Sequence, residues 1–527
     1  MHILTPSHPN PTTFQNPILP GFYPDPSICR VGEDYYLVTS SFAYFPGVPI
    51  FHSKDLVHWR QIGHVLDRPS QLDLDGVDHS QGIYAPTLRY HQGVFYMITT
   101  NVTRGGHFLV TAACPEGPWS EPYWLPDAPS LFFDDDSKTY YCGNRPAPEG
   151  EKYYGNCEIW LQELDLKQMK LTGEKVSLWR GALRNAIWPE APHIYKINGL
   201  YYLMIAEGGT DYHHAVTIAR SPSITGPYEG NPANPILTHR HLGRSYPVVN
   251  TGHADLVETQ NGEWWMVCLA SRPYGGYYRN LGRETFLAPV IWEDGWPIVS
   301  PGTGRVEFSY PVPNLPPGPP VPIRNRDDFD RPRLDPVWNF LRTPREDFWS
   351  LQERPGYLRL KLRPEKIIDP VNPSMLARRQ QHINFSAAAA LEFQPGDECE
   401  TAGLLLIQNN HFHFRMEVAL ENQQTVIRLI QCVSGLETEV AKKLGTGKIY
   451  LRVTARGQDY RFYFGSSPEA MEVLAERVDG RILSTDMAGG FVGTCIGLFA
   501  CSQGNPSQNH ADFDWFEYGE ISEDGGK

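Results

Sequence analysis

Asp25-Pro-Ser-Ile28, Glu33-Asp-Tyr-Tyr-Leu-Val-Thr-Ser40, Pro49-Ile-Phe-His-Ser53 and His58-Trp-Arg-Gln-Ile62 are four short apolar or aromatic segments parted by turns. Their alternation and β-branched or aromatic content predict strands. The same order returns, loosely, four more times. Ala85-Pro-Thr-Leu88 leads into Gly93-Val-Phe-Tyr-Met-Ile-Thr99, and Ala128-Pro-Ser-Leu-Phe132 into Lys138-Thr-Tyr-Tyr141. Ala191-Pro-His-Ile-Tyr195 leads into Gly199-Leu-Tyr-Tyr-Leu-Met-Ile205, and His253-Ala-Asp-Leu-Val257 into Gly262-Glu-Trp-Trp-Met-Val267. Five units of about four strands predict a five-bladed β-propeller, whose radial repetition leaves few exposed edges. One large β-sandwich is the competing arrangement.

Beyond the repeats, Pro311-Val-Pro-Asn-Leu-Pro-Pro-Gly-Pro-Pro-Val-Pro322 cannot sit in a helix or sheet and reads as a stiff spacer. It divides the 527 residues into an N-terminal domain at 1–310, a linker at 311–324 and a C-terminal domain at 325–527. The last contains alternating runs such as Tyr357-Leu-Arg-Leu-Lys-Leu362 and Tyr450-Leu-Arg-Val-Thr-Ala455, the pattern of an antiparallel β-sandwich. The chain is therefore expected to be all-β. Aromatics at 12% with 47 Gly and 46 Pro agree.

A net charge of −14 gives no electrostatic footprint for nucleic acid or an anionic membrane. No apolar run is long enough for a membrane helix. The nine cysteines form no C-x-x-C pair, which argues against a zinc or redox motif. Met1 to Pro20 lacks the basic start and apolar core of a secretory signal, so a cytoplasmic location is expected, with secretion left open. Homo-oligomerisation is also left open.

In a propeller, the repeat brings one residue of each blade to the mouth of a central channel. The position before proline, or its equivalent, is held by Asp25, Ala85, Ala128, Ala191 and His253. One residue earlier stand Pro24, Tyr84, Asp127, Glu190 and Gly252. Asp25 and Glu190 can thus converge. Asp25 is held between two prolines. Glu190, in Trp188-Pro-Glu-Ala-Pro-His193, has apolar and aromatic neighbours, which favour a raised pKa and a general-acid role. Asp-Pro is also an ordinary turn starter, and a glutamate in a proline-rich loop is often only solvated. Paired carboxyl groups beside aromatic faces are what glycoside hydrolysis requires. Phe42, Tyr44, Phe45, Tyr84 and Tyr212 are candidates for those faces, and blade packing is the competing role for each. The acidic run Asp134-Asp-Asp136 lacks the Gly and distal Glu of a calcium loop and reads as a β-turn.

Several motifs together resemble glycoside hydrolase family 43, the β-xylosidase and α-L-arabinofuranosidase group. They are Asn16-Pro-Ile-Leu-Pro-Gly-Phe-Tyr-Pro-Asp-Pro-Ser-Ile28, Phe45-Pro-Gly-Val-Pro-Ile50, Tyr84-Ala-Pro-Thr-Leu88, Glu190-Ala-Pro-His-Ile-Tyr195, Ala206-Glu-Gly-Gly-Thr210 and Leu281-Gly-Arg-Glu-Thr285. The C-terminal part, ending in Ala511-Asp-Phe-Asp-Trp-Phe516, resembles the concanavalin-like sandwich of the two-domain members. The resemblance implies a five-bladed propeller and hydrolysis with inversion, with Asp25 as general base and Glu190 as general acid. It implies no required cofactor and a pentose oligosaccharide as substrate, with a slight lean toward arabinofuranose.

It also implies a third carboxylate immediately before Pro-Ser-Leu-Phe. That position is Ala128, preceded by Asp127. Three explanations stand: a natural or engineered loss of the acid, substitution by Asp127 through a shifted loop, or a non-catalytic pentose-binding homologue. By the same resemblance Phe42 and Tyr84 would line the sugar site, Arg283 would bond sugar hydroxyls, and Phe491 would close the pocket from the sandwich. His253 would face a water or a calcium ion in the channel.

Overall fold

The computed structural model describes residues 12–522 except 127–129, 186, 320, 322, 323 and 446. Asp127 and Ala128 therefore lie outside the described residues. Five antiparallel sheets follow one another along the N-terminal part. Blade 1 contains Ser27–Val31, Asp34–Val38, Gly47–Ser53 and Arg60–Leu66. The inner strands of blades 2 to 5 are Ile83–His91, Ser130–Phe133, Glu190–Ile197 and Val249–Glu258. These first strands meet around the axis, each followed outward by its hairpin partners. The five strand sets start where the repeat starts, so the arrangement is a five-bladed propeller and not a single large sandwich.

Alternation drives the blade stacking. In Asp34–Val38, Tyr35 and Leu37 join an apolar cluster with Trp265 and Phe286 of blade 5. Tyr36, on the opposite face, meets Phe95 of blade 2 with ring centroids 5.1 Å apart. Burying such side chains is worth about 1.5–3 kcal/mol each. The N-terminal Thr13–Gln15 pairs with Ser309–Pro311, and Leu19 bridges to Thr285, which laces both ends of the propeller onto blade 5. The acidic run at 134–136 forms the turn between Ser130–Phe133 and Thr139–Pro146. Within it, buried Asp134 accepts hydrogen bonds from Lys196 and Tyr201 of blade 4.

The proline-rich run lies along the propeller wall. The Asn314 N–H donates to Glu263 (2.9 Å) and the Gly318 N–H to Asp55 (2.7 Å). The C-terminal part forms two facing sheets. One has its centre at Phe385–Glu392 and His510–Glu520, the other at Thr401–Asn409 and Cys495–Cys501. This is the expected sandwich.

The sandwich is fused to blades 1 and 2 through one continuous apolar cluster. Phe340–Leu341 pairs with Tyr44–Phe45, and buried Arg342 donates to the Val77 carbonyl (2.7 Å) and to Asn410 (3.0 Å). Here the sequence expectation needs correcting for two aromatics. Tyr44 and Phe45 are not sugar platforms: both are buried in the domain interface, where the Tyr44 hydroxyl meets His79 (3.1 Å). Phe42 is as fully buried as these two, but its ring packs on Tyr84, Phe491 and Arg283 at the channel mouth, while the next aromatics face the second domain.

Candidate active site

The inner strands enter the channel mouth with irregular backbone. Asp25, Ala191 and His253 occupy equivalent places in three blades, and all have positive φ (56°, 51° and 45°). Non-glycine residues seldom adopt this region, and such strain gathers at functional sites. Register shifts follow in blades 2, 4 and 5, between Tyr84 and Thr87, between Glu190 and His193, and between Gly252 and Asp255. Bulges of this kind re-aim side chains at the end of a strand.

Asp25 is buried. Its Oδ1 accepts from Arg283 Nη1 (2.8 Å) and its Oδ2 from the Ser40 hydroxyl (2.5 Å), and His253 Nδ1 lies 3.8 Å from Oδ1. Burial opposes ionisation, but the Arg283 guanidinium, then His253 and Ser40, outweigh it and hold the carboxyl below its usual range. Glu190 goes the other way. Burial, and then the negative charge of Asp25, push it up to about 7, although Arg283 partly opposes this. The Asp25 charge acts on Glu190, and Arg283 acts on both, as in one shared site. Burial pushes the Tyr84 phenol up to about 12, and Arg283, Asp25 and Glu190 all act on it, so it belongs to the same group. Two neighbouring carboxyl groups with pKa values driven apart form an acid–base pair.

The aromatic wall is assembled from both domains. Phe42 lies 5.1 Å from Tyr84 and 6.2 Å from Phe491 between ring centroids, and the Arg283 guanidinium sits over both phenylalanines at 5.6 and 5.7 Å. Phe491 arrives on a sandwich loop whose N–H donates to the Ser80 hydroxyl (2.9 Å). The preceding residue must be glycine: a Cβ on Gly490 would come 2.1 Å from Ser80 Oγ. Arg283 also donates to Thr210 (3.0 Å) and to the Phe491 carbonyl (3.3 Å). Its ion-pair partner is Asp25, while the neighbouring Glu284 pairs with Arg272 (2.6 Å). Tyr212 stands at the rim under Arg244 and Arg279.

Behind the acids, the channel is sealed by a polar plug. Asp255, fully buried, takes hydrogen bonds from Ser27 (2.8 Å), Arg89 (2.9 Å) and Tyr195 (2.6 Å), and its carboxyl falls to about 2 as Arg89 overcomes burial. Arg89 also reaches His193 (2.8 Å). Gly252 makes room for His214, since a Cβ there would meet the ring at 2.3 Å. A cavity of about 1180 Å³ opens at the opposite mouth, lined by Arg89, Phe133, Tyr195, Trp264 and Trp292, and contains none of the predicted site residues.

Asp25, Glu190, Phe42, Tyr84, His253, Arg283 and Phe491 are thus brought together. Sequence reasoning missed Ser40 and the Arg89–Asp255–Tyr195 plug. Thr210 lay inside a quoted motif without being singled out.

The matched families and relatives fit this geometry. The model for glycosyl hydrolases family 43 matches residues 14–297, and that for the β-xylosidase C-terminal concanavalin A-like domain matches 326–519. A xylosidase/arabinosidase of Butyrivibrio fibrisolvens is 50% identical over 515 residues, covering 96% of this chain and 99% of that one. A non-reducing-end α-L-arabinofuranosidase of Bacteroides ovatus is 42% identical over 516 residues, covering 96% and 94%. Among solved structures, a xylan β-1,4-xylosidase of Bacillus halodurans superimposes with a TM-score of 0.91 at 38% identity, covering 96% of this chain and 100% of that one.

Proposed function

The chain belongs to glycosyl hydrolase family 43 and is a glycosidase, and on that premise we propose that Asp25 and Glu190 carry out exo-acting, inverting hydrolysis of terminal α-L-arabinofuranose and β-D-xylose. The substrates are arabinoxylan or xylo-oligosaccharide ends. What carries this reading is the unlike surroundings of two carboxyl groups: Asp25 is bonded to Arg283 and Ser40, which favours its ionised form, while burial and the Asp25 charge push Glu190 up to about 7.

A terminal pentose enters against Tyr84 and Phe491, whose rings Phe42 backs from the buried side. Arg283, already bonded to Asp25, turns its remaining N–H groups toward sugar hydroxyls. Asp25 accepts a proton from water as that water attacks the anomeric carbon. Glu190 gives its proton to the departing glycosidic oxygen, and the product carries inverted configuration. The closing ring of Phe491 favours one terminal residue over a continuous chain. The two sugars present similar hydroxyl geometry, so one pocket serves both, as the names of the two relatives above suggest.

Water and two carboxyl groups suffice for this chemistry, and the family needs no cofactor. His253 would hold a hydrated calcium ion in the channel. Among the described residues, the buried Asn250 amide, Thr251 hydroxyl and His214 Nε2 have no hydrogen-bond partner, and they fit a water shell. Such an ion would add positive charge near Asp25. Seven of the nine unpaired cysteines are buried, which supports a reducing, cytoplasmic setting.

Position 128 supplies the test. Ala128→Asp should hydrolyse nitrophenyl arabinofuranoside and nitrophenyl xyloside faster than the parent chain, by about 10²-fold or more, as expected for restoring a group that acts on the proton donor. No hydrolysis by either protein, with measurable xylobiose binding, would overturn the proposal in favour of a pentose-binding role.

A further inference from the structure

In the sandwich, far along the chain from the acids, three donors of different chemistry stand in a row across three strands. His413 lies on Phe412–Glu421, Cys432 on Gln424–Val433 and Glu437 on the edge strand Leu436–Leu444. His413 is paired directly opposite Cys432, and Cys432 directly opposite Glu437. One nitrogen, one sulfur and one carboxylate oxygen of the three lie within 4.8 Å of one another. Adjacent strands are about 4.8 Å apart, so register puts Cys432 beside each of the other two, while His413 and Glu437, two strands apart, meet because their side chains lean toward each other across the middle strand.

The second observation is His413 itself. Its ring is fully buried, and among the described residues neither nitrogen makes a hydrogen bond of ordinary length, although Glu437 and the Asn410 backbone lie near the ring. The nearest acid oxygen, Glu437 Oε1, lies 3.7 Å from Nε2. A cation between the ring and the carboxylate would give the buried imidazole a full partner. Two ligands each about 2.0–2.1 Å from a tetrahedral ion lie about 3.4 Å apart, so the His413–Glu437 gap needs little closure.

We propose that His413, Cys432 and Glu437 form a zinc site that clips the exposed edge strand Leu436–Leu444 to the sandwich. An imidazole, a thiolate and a carboxylate suit zinc better than calcium or magnesium, which take oxygen ligands. Glu437 is on the solvent side, so it gives the ion its way in and leaves the fourth position to water. On binding, the Cys432 Sγ–H bond breaks and its proton passes to solvent. Its present weak contact with the His411 carbonyl (3.4 Å) is given up. Arg415 lies 2.9 Å from Glu437 Oε2, which leaves Oε1 for the metal. Its charge is met on the other side by Glu417 at 3.2 Å.

The test uses the full chain, freed of metal by chelator and dialysed against micromolar Zn²⁺ or Co²⁺. Bound zinc is counted by elemental analysis, and the cobalt form is read by its thiolate-to-metal charge-transfer absorption. The expected result is one zinc per chain, a cobalt–thiolate band, and slower amide exchange in 436–444 on loading. Cys432→Ser, nearly the same shape, should lose the band and the exchange protection. Glu437→Gln, at an exposed position, should weaken binding tenfold or more. Activity on nitrophenyl glycosides should not respond to loading, which separates this site from the channel. Absence of zinc from the parent chain would overturn the proposal. So would a band of equal strength in Cys432→Ser, or unchanged affinity in Glu437→Gln.

Discussion

Replacing Glu190 by Gln should make the protein more stable in a pH-dependent way while removing its proton donor. The carboxyl sits at about 7 in the folded chain against 4.5 ordinarily. At about 1.4 kcal/mol per pH unit, burial and Asp25 cost its ionised form about 3 kcal/mol. Below pH 4.5 the group is neutral in both folded and unfolded chains and costs nothing. Between 4.5 and 7 the folded chain holds a proton that the unfolded chain has released, so stability falls as pH rises. Above 7 the full penalty is present. Gln has the shape of the protonated acid and never ionises. The stability of Glu190→Gln relative to the parent should therefore grow from pH 4.5 to 7 by about 3 kcal/mol and then level off. At about 1 °C per kcal/mol for a chain of this size, that is about 3 °C in Tm. The assay is thermal unfolding of both proteins from pH 5 to 9. A difference that stays flat across that range would refute the raised pKa and with it the acid assignment. In the same variant, hydrolysis of xylobiose should fall by about 10²–10⁴-fold, and hydrolysis of nitrophenyl glycosides, whose leaving group needs no proton, much less.

Other expectations concern the rest of the site. Ser40→Ala removes a hydrogen bond to Asp25 Oδ2, so the carboxyl should titrate at higher pH and the acid limb of kcat/KM should move up with it; an unmoved limb would count against Asp25 as the base. Phe491→Ala should raise KM about tenfold with little change in Tm, because the ring is 38% exposed and packs mainly on Phe42 and Tyr84; an unchanged KM would remove it from the sugar site. Proton NMR of nitrophenyl β-xyloside cleavage should show α-xylose first, before mutarotation, and β-xylose first would exclude inversion. Calcium added back to chelator-treated protein should raise kcat in the parent and not in His253→Ala; no response in the parent would remove the ion from the channel.

Local chemistry in the sequence was enough for the propeller and the sandwich, and for the expectation that Asp25 and Glu190 share one mouth. Asp25-Pro, Ala191-Pro and His253 recur at one phase of a strand repeat, and equivalent phase in a closed ring means a common mouth. Apolar alternation specifies strands wherever they end up, so the blades were legible before any contact was known. Of the neighbours that set the acids' protonation, Arg283 and His253 were legible but Ser40, an ordinary serine after a strand, was not. Nor was the plug behind the acids, where Arg89 and Asp255 come from blades 2 and 5. Their meeting depends on ring closure, which no local pattern encodes. Tyr44 and Phe45 show the converse failure: they look like Phe42 in sequence, but the sandwich covers them. The row of His413, Cys432 and Glu437 was invisible for the same reason, since its members are assembled by strand register. The sequence by itself determined which residue types alternate, turn and carry protons. Only the tertiary structure decided which of them are desolvated together, and desolvation beside a second charge is what drives the two carboxyl groups apart.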